Sequence, residues 1–349
     1  MKTKLLLPAT MVLLLFSCNQ NAEHQNSAAA PPKSMVMNTG LIKKANEVFQ
    51  PLPKVAESAE NPITDAKVAL GKALYYETKL SLKGNNSCNS CHNLKTYGVD
   101  NLPTSKGDNS GFGKRNSPTV LNAALHAFQF WDGRAKDVEE QAGGPILNPV
   151  EMAMHTEVDV EKRLGSDERY VQLFKAAFPN DKQPISYANL RKAIGAFERT
   201  LLTPSPFDDF LQGNSDALST QQQAGLQDFM DAGCTTCHSG VSVGGTMFQK
   251  FGTNADYHTF THSKATDEGR KEVTKDEADK NMFKVCGLRN VAKTQPYFHD
   301  GSVSSLQEAI KIMGKAELNK DLTDEQVKNI EAFLNSLTGE VPKSAIKEE

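Results

Sequence analysis

The pentapeptide CNSCH at Cys88–His92 is the most informative motif for the fold of this chain, and CTTCH at Cys234–His238 repeats its pattern. Equivalent positions of the two copies lie 146 residues apart, 234 less 88. That distance is too long for a solenoid period, so it indicates two homologous modules rather than an array. On a helical turn the cysteines and the histidine occupy positions i, i+3 and i+4, which places both thiols and the imidazole on one face.

Two thiols and an imidazole on one face match the attachment chemistry of haem c. The thiols add to the two vinyl groups of the haem, and the imidazole becomes the proximal ligand of the iron. Zinc sites, disulfides and redox-active dithiols also use C-x-x-C pairs. These three alternatives explain the cysteines but not the histidine that follows both pairs. The sequence therefore predicts two covalent haems c, held by Cys88, Cys91, His92, Cys234, Cys237 and His238.

The first residues indicate export. Two lysines precede an apolar stretch over 5–16, which is too short to span a bilayer and is typical of a secretory signal. The stretch ends in LFSC, which resembles a bacterial lipobox. We therefore interpret residues 1–17 as a signal peptide and expect a periplasmic protein anchored by a lipid on Cys18, with a plain signal peptide as the alternative. Residues 18–45, rich in Asn, Gln, Ala and Pro, are predicted to form a flexible tether.

The net charge excludes one class of partner. The sequence of 349 residues carries a formal charge of −3, and removal of residues 1–17 takes away two lysines and no acids, which gives −5. A mildly acidic chain offers no electrostatic footprint for nucleic acid. Contact with a membrane is expected only through the lipid anchor.

The periodicity around the pentapeptides is helical. Ser186 can cap a helix whose apolar residues recur at spacings of four, three and four, namely Leu190, Ile194, Phe197 and Leu201. Ser219 with Gln222, and Thr323 with Gln326, form capping boxes for two more helices. Convincing alternating strands are absent. The predicted fold class is all-α.

The predicted architecture consists of two cytochrome c-like domains, each built around one haem. Two prolines interrupt the helical pattern between residues 203 and 213, so the boundary is placed there. The N-terminal domain is predicted over 46–205 and the C-terminal domain over 206–342. Long loops are expected to carry function, above all the Gly-, Asn- and Pro-rich stretch over 93–118.

The sequence resembles the bacterial dihaem cytochrome c peroxidase family over residues 60–340. The match includes several further motifs in the family's order: RNSPT at 115–119, FWDGR at 130–134, GPILNPVEM at 144–152, LRN at 288–290 and PYFHDGS at 296–302. The resemblance implies reduction of hydrogen peroxide with electrons from a small redox protein, either a monohaem cytochrome c or a cupredoxin. Members of the family are often homodimers, although this sequence displays no self-complementary surface.

The resemblance assigns a different task to each haem. The N-terminal haem, with His92 as proximal ligand, is the low-potential haem that reacts with peroxide. The C-terminal haem accepts electrons and has His238 and Met313 as its axial ligands. A thioether ligand favours ferrous iron and raises the reduction potential. Met313 also ends a helical apolar set, so its pattern alone would make it a core residue.

The family match also implies the catalytic residues. Glu151 corresponds to the catalytic glutamate of the family. Cleavage of peroxide moves a proton from one of its oxygens to the other, which is a task for a carboxylate beside the iron. Trp131, the only tryptophan, corresponds to a residue between the haems and is expected to serve in electron transfer, as a buried aromatic anchor, or as both. Phe130, Gln141 and Pro145 are expected to line the peroxide pocket.

A calcium ion between the domains is a further implication of the family match. Relatives bind the ion through one asparagine side chain and backbone carbonyls. The corresponding residues are Asn116, Thr294 and Pro296. Oxygen ligands of this kind suit a hard cation, but backbone carbonyls leave almost no signature in a sequence.

The chain departs from the family at one position that matters for activation. Many relatives have a histidine sixteen residues after the first proximal histidine, which blocks the resting peroxidatic iron. This chain has Asp108 there, and a carboxylate is a poor sixth ligand for haem iron. We therefore hypothesise an open or water-ligated N-terminal haem that needs no prior reduction, with His126 and His155 as the other side chains that could approach. Cys286 is interpreted as an unpaired, small buried residue.

Two other functions are compatible with two haems. A protein-oxidising enzyme, like the dihaem protein that matures methylamine dehydrogenase, also has an open N-terminal haem, but it uses tyrosine where this chain has Met313. A non-catalytic dihaem electron carrier is the second alternative. Glu151 argues against a carrier, because electron transfer alone needs no proton shuttle.

Overall fold

A computed structural model describes residues 33–347 of the chain. The predicted signal peptide, Cys18 and the first part of the predicted tether lie outside the described residues. Within residues 33–347, none of the helices combines the length and apolar character needed to cross a bilayer.

The described part of the chain is mostly helical, as the sequence predicts. Its helices are α1 (Lys33–Asn46), α2 (Asp65–Tyr75), α3 (Cys88–Cys91), α4 (Val138–Leu147), α5 (Glu157–Gly165), α6 (Glu168–Ala177), α7 (Tyr187–Glu198), α8 (Pro206–Leu211), α9 (Thr220–Ala232), α10 (His258–Thr261), α11 (Lys271–Thr274), α12 (Leu306–Leu318) and α13 (Asp324–Ser336). Two short strands that the sequence analysis did not predict, β1 (Phe248–Lys250) and β2 (Met282–Lys284), pair antiparallel.

The first module is built on the crossing of α2 with α7. Gly71 of α2 lies so close to α7 that a Cβ there would stand 2.0 Å from the carbonyl oxygen of Ala193. Ser186 caps α7 as predicted, its hydroxyl accepting from the Asn189 amide at 3.2 Å. The core between α2, α4, α6 and α7 is formed by buried apolar residues that include Leu70, Leu74, Ile146, Tyr170, Phe174 and Ile194.

The second module repeats this design with α9 and α13. A Cβ on Gly225 of α9 would stand 1.8 Å from the carbonyl oxygen of Asn329 on α13. Both predicted capping boxes are present, at Ser219 for α9 and at Thr323 for α13. Each module therefore crosses the helix before its pentapeptide with a later helix at a glycine, which supports the interpretation of two homologous units.

The two ends of the chain pack on opposite modules. Ala45 and Phe49 are buried in the core of the second module, whereas Ala345 is buried against the first, beside Tyr75 and Leu94. The prediction of a flexible tether up to residue 45 is wrong from Lys33 on, because α1 covers this stretch and its end joins a core. Packing changes from the first module to the second between residues 201 and 207.

Arg115 connects the loop over 93–118 to both modules. Its guanidinium donates to Asp132 at 2.5 Å in the first module and to Asp267 at 2.6 and 2.7 Å in the second. These three side chains are at most 13% exposed, so their charges compensate one another in poorly solvated surroundings. The contacts fix the FWDGR segment that carries Phe130 and Trp131.

Candidate active site

The first pentapeptide opens onto a large cavity in the first module. Cys88–Cys91 form one helical turn, α3, which a capping box between Ser87 and Ser90 starts, and His92 ends it. Neither cysteine forms a disulfide. Both cysteines and His92 line one cavity, which we call the N-terminal cavity. The predicted geometry of two thiols and one imidazole facing the same space is thus present.

The second pentapeptide opens onto a separate cavity in the second module. Cys234 lies in a short 3₁₀ turn rather than an α-helical one, and Cys237 and His238 follow it. Neither cysteine forms a disulfide, and all three residues line a separate cavity, which we call the C-terminal cavity. Met313 lines the same cavity from α12, which continues past it to Leu318. His238 and Met313 therefore meet in one space, as two axial ligands must.

Burial shifts the pKa values of the pentapeptide side chains. It raises the pKa of the Cys88 thiol to about 12 and that of Cys91 to about 11, so both are protonated thiols. Burial also lowers the pKa of His238 to about 4 and lowers that of His92, which keeps both imidazoles neutral, the form that binds iron. Within residues 33–347, no three His, Cys, Asp or Glu side chains form a group that could hold a metal ion.

Glu151 lies in the wall of the N-terminal cavity. Its backbone is held on both sides, since its amide donates to the Asn148 carbonyl at 3.0 Å and its carbonyl accepts from the Asp108 amide at 2.7 Å. Burial raises the pKa of the carboxyl, while Arg134 and a hydrogen bond from Asn148 act in the opposite direction. The site thus contains a fixed carboxyl whose pKa is moved toward neutrality.

The other predicted pocket residues lie in the same wall. Gln141 and Pro145 come from α4, and Pro145 has no amide hydrogen to donate to the Gln141 carbonyl. Phe130 has a left-handed backbone with φ of 65°, and the Arg134 guanidinium stacks 3.4 Å from the centre of its ring. The structure therefore brings Glu151, Phe130, Gln141 and Pro145 together with the first pentapeptide.

Trp131 lines both cavities. Its indole nitrogen donates to the Asn116 carbonyl at 2.9 Å, and its own carbonyl accepts from the Lys284 amide at 2.7 Å. The ring also meets His299 edge-on, with the ring centres 6.4 Å apart. The indole is therefore held in one orientation in the wall that the two cavities share.

Asp108 points away from the N-terminal cavity and into the protein. Its carboxylate accepts from the Lys83 amide at 2.6 Å, from the Asn85 amide at 3.2 Å and from the Ser81 hydroxyl at 3.1 Å, and the residue is only 4% exposed. The side chain at the family's blocking position thus serves to hold one loop against another.

The two histidines that could take its place differ in position. His155 is exposed and does not line the N-terminal cavity. His126 does line it, but its ring fits between Gly245 and Gly287, where a Cβ would stand 2.4 and 2.6 Å from ring atoms. A third contact, between Nδ1 and the Lys284 ammonium at 3.2 Å, holds the ring further.

The predicted calcium residues come from two segments that meet at one loop. Asn116 donates from its side chain to the Leu102 carbonyl at 2.9 Å. The neighbouring Asn101 donates to the carbonyl of Gln295, which lies between Thr294 and Pro296, at 2.8 Å. Residues 101 and 102 of the 93–118 loop thus contact Asn116 and the segment that contains Thr294 and Pro296.

The sequence analysis missed two buried ionisable residues of the N-terminal cavity, Lys284 and Glu198. Glu198 is 3% exposed, and burial followed by the charge of Glu139 raises its pKa to about 8. Lys284 is brought inside by the pairing of two three-residue strands, for which the sequence has no periodic signal. Glu198 ends an amphipathic helix and could have been found by its position on the apolar face of α7.

Comparison with known proteins agrees with this geometry. A family model described as di-haem cytochrome c peroxidase matches residues 65–216. The cytochrome c551 peroxidase of Pseudomonas aeruginosa is 47% identical over 307 residues, covering 87% of this chain and 88% of the relative. The protein of the same name from Nitrosomonas europaea is 44% identical over 314 residues, covering 88% of this chain and 89% of the relative.

More distant relatives carry a different name. The methylamine utilization protein MauG of Methylophilus methylotrophus is 32% identical over 321 residues, covering 87% of this chain and 92% of the relative. A solved structure described as a MauG-like protein associated with microbial copper homeostasis has a TM-score of 0.74 and 29% identity, covering 83% of this chain and 94% of that chain.

Proposed function

The chain belongs to the dihaem cytochrome c peroxidase family, and from that premise we propose that it reduces hydrogen peroxide to water with electrons from a reduced monohaem cytochrome c or cupredoxin. One peroxide takes two electrons from the donor and two protons from solvent and gives two waters. The observation that carries the proposal is the partly buried carboxyl of Glu151 in the same cavity as Cys88, Cys91 and His92.

Each cavity has the residues to hold one haem c. Cys88 and Cys91 would form the thioether bonds in the N-terminal cavity and Cys234 and Cys237 those in the C-terminal one. When bound, the haems supply the redox chemistry, with peroxide reduced in the N-terminal cavity and electrons entering at the C-terminal one. His238 and Met313, which line this cavity, would be the ligands of its iron, and an iron with two protein ligands suits electron transfer rather than peroxide binding.

Glu151 would move the proton that O–O cleavage requires. A general acid-base group works best when its pKa is near the working pH, and burial moves the pKa of this carboxyl in that direction. Phe130 and Pro145 would limit water around it, and Gln141 offers an amide within the same wall. Trp131, fixed in the shared wall, is proposed to carry electrons between the cavities.

Steady-state peroxide consumption with a reduced monohaem cytochrome tests this proposal. Replacing Glu151→Gln keeps the size of the side chain and removes its proton transfer, so kcat should fall by about 10²- to 10⁴-fold. Glu57→Gln, at an exposed carboxylate of the same module, is the matched control and should keep the wild-type rate. Equal rates for wild type and Glu151→Gln, or no peroxide turnover with cytochrome or cupredoxin donors, would refute the proposal.

Protein oxidation, as in the methylamine dehydrogenase maturation enzymes, is the second candidate. It is favoured by the relatives named MauG and by Asp108 in place of a blocking histidine. Met313 in the C-terminal cavity favours the peroxidase, because the maturation enzymes use tyrosine at this position. A simple electron carrier would leave the partly buried carboxyl of Glu151 without a role.

Four further assignments belong to the proposal. The protein is proposed to be periplasmic, to be anchored through a lipid on Cys18, and to form a homodimer. A calcium ion is proposed near Asn116, Thr294 and Pro296, supported by the meeting of these segments at residues 101 and 102.

A further inference from the structure

Lys284 occupies an unusual place in the molecule. It ends β2, it is 6% exposed, and together with Trp131 it lines both cavities. Its backbone amide donates to the Trp131 carbonyl at 2.7 Å, which fixes the residue in the shared wall. The side chain of a lysine is rarely buried to this extent without a partner of opposite charge.

No such partner is present among the residues that the structure describes. No carboxylate within residues 33–347 forms an ion pair with the Lys284 ammonium. Asp132 is near enough to influence it, but its carboxylate already pairs with Arg115 at 2.5 Å and with Arg134 at 2.9 Å. Cys286, the other group that acts on the charge, is a buried thiol with a raised pKa and is therefore neutral.

His126 is the side chain that the ammonium contacts, at 3.2 Å from Nδ1. Burial and the neighbouring ammonium lower the pKa of His126 well below its usual value, so the imidazole is neutral and accepts a hydrogen bond. The ring cannot turn freely between Gly245 and Gly287. His126 therefore positions the ammonium at the N-terminal cavity but supplies no negative charge.

A buried cation without an anion is unfavourable, and burial accordingly lowers the pKa of Lys284 to about 8. An anion that entered the wall between the cavities would offset this cost. Haem c brings such groups, because each macrocycle carries two propionate carboxylates on its edge.

We propose that Lys284 is a propionate-binding residue for the haem of the N-terminal cavity, with His126 as its positioning residue. The inference rests on the proposed binding of two haems and goes beyond attachment and axial ligation. It commits to the N-terminal haem because the ammonium contacts His126, which lines that cavity and not the other. A positive charge beside a propionate stabilises the reduced iron, which carries one positive charge less.

Spectroelectrochemical titration of the purified dihaem protein tests this inference. Lys284→Met removes the charge, so the midpoint potential of the N-terminal haem should shift downward, and by more than that of the C-terminal haem. Lys284→Arg keeps the charge and should retain the wild-type potentials. Lys264→Met is the matched control, since Lys264 lies in the same module but is exposed and lines neither cavity. It should leave both potentials unchanged.

Other results would overturn the inference. One is an unchanged potential of the N-terminal haem in Lys284→Met. Another is a shift in Lys284→Arg as large as that in Lys284→Met. The third is a shift of the C-terminal haem in Lys284→Met that exceeds the shift of the N-terminal haem. Lys284→Gln, which keeps polarity without charge, replaces the methionine variant if that protein does not fold, and the same downward shift is expected. The pyridine haemochrome content of each variant and its peroxide turnover are read separately, so failure of the proposed peroxidase is distinguishable from failure of the lysine assignment.

Discussion

At the scale of single residues, Met313 makes the two cavities chemically different. Met313 lies on α12 and lines the C-terminal cavity together with His238. Met152, which lines the N-terminal cavity, is packed instead into the core of the first module. Axial ligands set haem potentials over a range of about 0.8 V, and a thioether favours the reduced iron. Under the proposed function, the position of this methionine makes the C-terminal cavity the one suited to receive electrons.

Replacing Met313→Leu should lower the potential of the C-terminal haem and slow peroxide turnover. Each ~59 mV of lost potential makes a one-electron reduction by the donor tenfold less favourable. Redox titration and stopped-flow reduction by a cytochrome donor measure the effect. Met230→Leu, on α9 and outside both cavities, should behave as wild type. Unchanged donor reduction in Met313→Leu would contradict the proposal that electrons enter at the C-terminal haem.

The functional residues differ in how clearly the sequence identifies them. The pentapeptides have a fixed spacing set by the haem itself, and Glu151 and Trp131 lie in contiguous family motifs. Lys284 has neither signal, because its burial depends on strand pairing with residues 248–250 and on contact with His126 far away in sequence. The sequence identifies Asp108 as a departure from the family, but only the fold reveals that its carboxylate points into the protein.

At the scale of elements, the two helix crossings depend on Gly71 and Gly225. In each, an added Cβ would stand about 2 Å or less from a backbone carbonyl oxygen, which a side-chain movement cannot relieve. The gain in helix propensity from Gly to Ala, about 1 kcal/mol, is therefore exceeded by overpacking of about 1–3 kcal/mol or more, since the helices must separate.

Gly71→Ala and Gly225→Ala should each lower the Tm and the free energy of unfolding. Gly40→Ala is the matched control, because Gly40 lies in α1 and a Cβ added to it would have nothing within 4 Å. This variant should be neutral or stabilising by up to about 1 kcal/mol. Thermal and denaturant unfolding of the haem-loaded proteins measure the differences. Stabilisation by either crossing variant would show that the helices can separate without cost.

Elements with local signals were predicted well, and elements without them were not. The caps at Ser186, Ser219 and Thr323 are local hydrogen bonds between residues three apart, so the sequence contains them. The strands of three residues have no period to detect. Helix α1 was not predicted because its apolar face is short, and Leu41, Ile42 and Ala45 on that face pack on the core of the second module.

At the scale of the whole molecule, the internal repeat predicts two modules but not the way the chain ends cross between them. The N-terminal segment ending in Phe49 and the C-terminal segment around Ala345 each cover the core of the other module. Arg115 adds a charged connection through Asp132 and Asp267. Such contacts hold in place the wall that contains Trp131 and Lys284, and no local pattern in the sequence predicts them.

The same connectivity bears on how the enzyme is activated. In relatives with a blocking histidine, reduction of one haem must move a loop near the other. Here the corresponding loop is held by the bond from the Lys83 amide to the Asp108 carboxylate. The backbone of Gly107 also packs closely on Val150, because a Cβ on Gly107 would stand 1.8 Å from the Val150 carbonyl oxygen. Within residues 33–347, the remaining histidine of the cavity wall, His126, is wedged between two glycines and bound to Lys284.

We therefore expect the fully oxidised protein to be competent without prior reduction. Electron paramagnetic resonance should detect a high-spin component from the N-terminal haem besides one low-spin haem, and turnover should start without a lag when peroxide precedes the donor. Asn109→Ala, at an exposed neighbour, should change neither observation. Two purely low-spin haems, or a lag abolished by prereduction, would mean that a ligand does reach the iron and that the Asp108 loop moves despite its contacts.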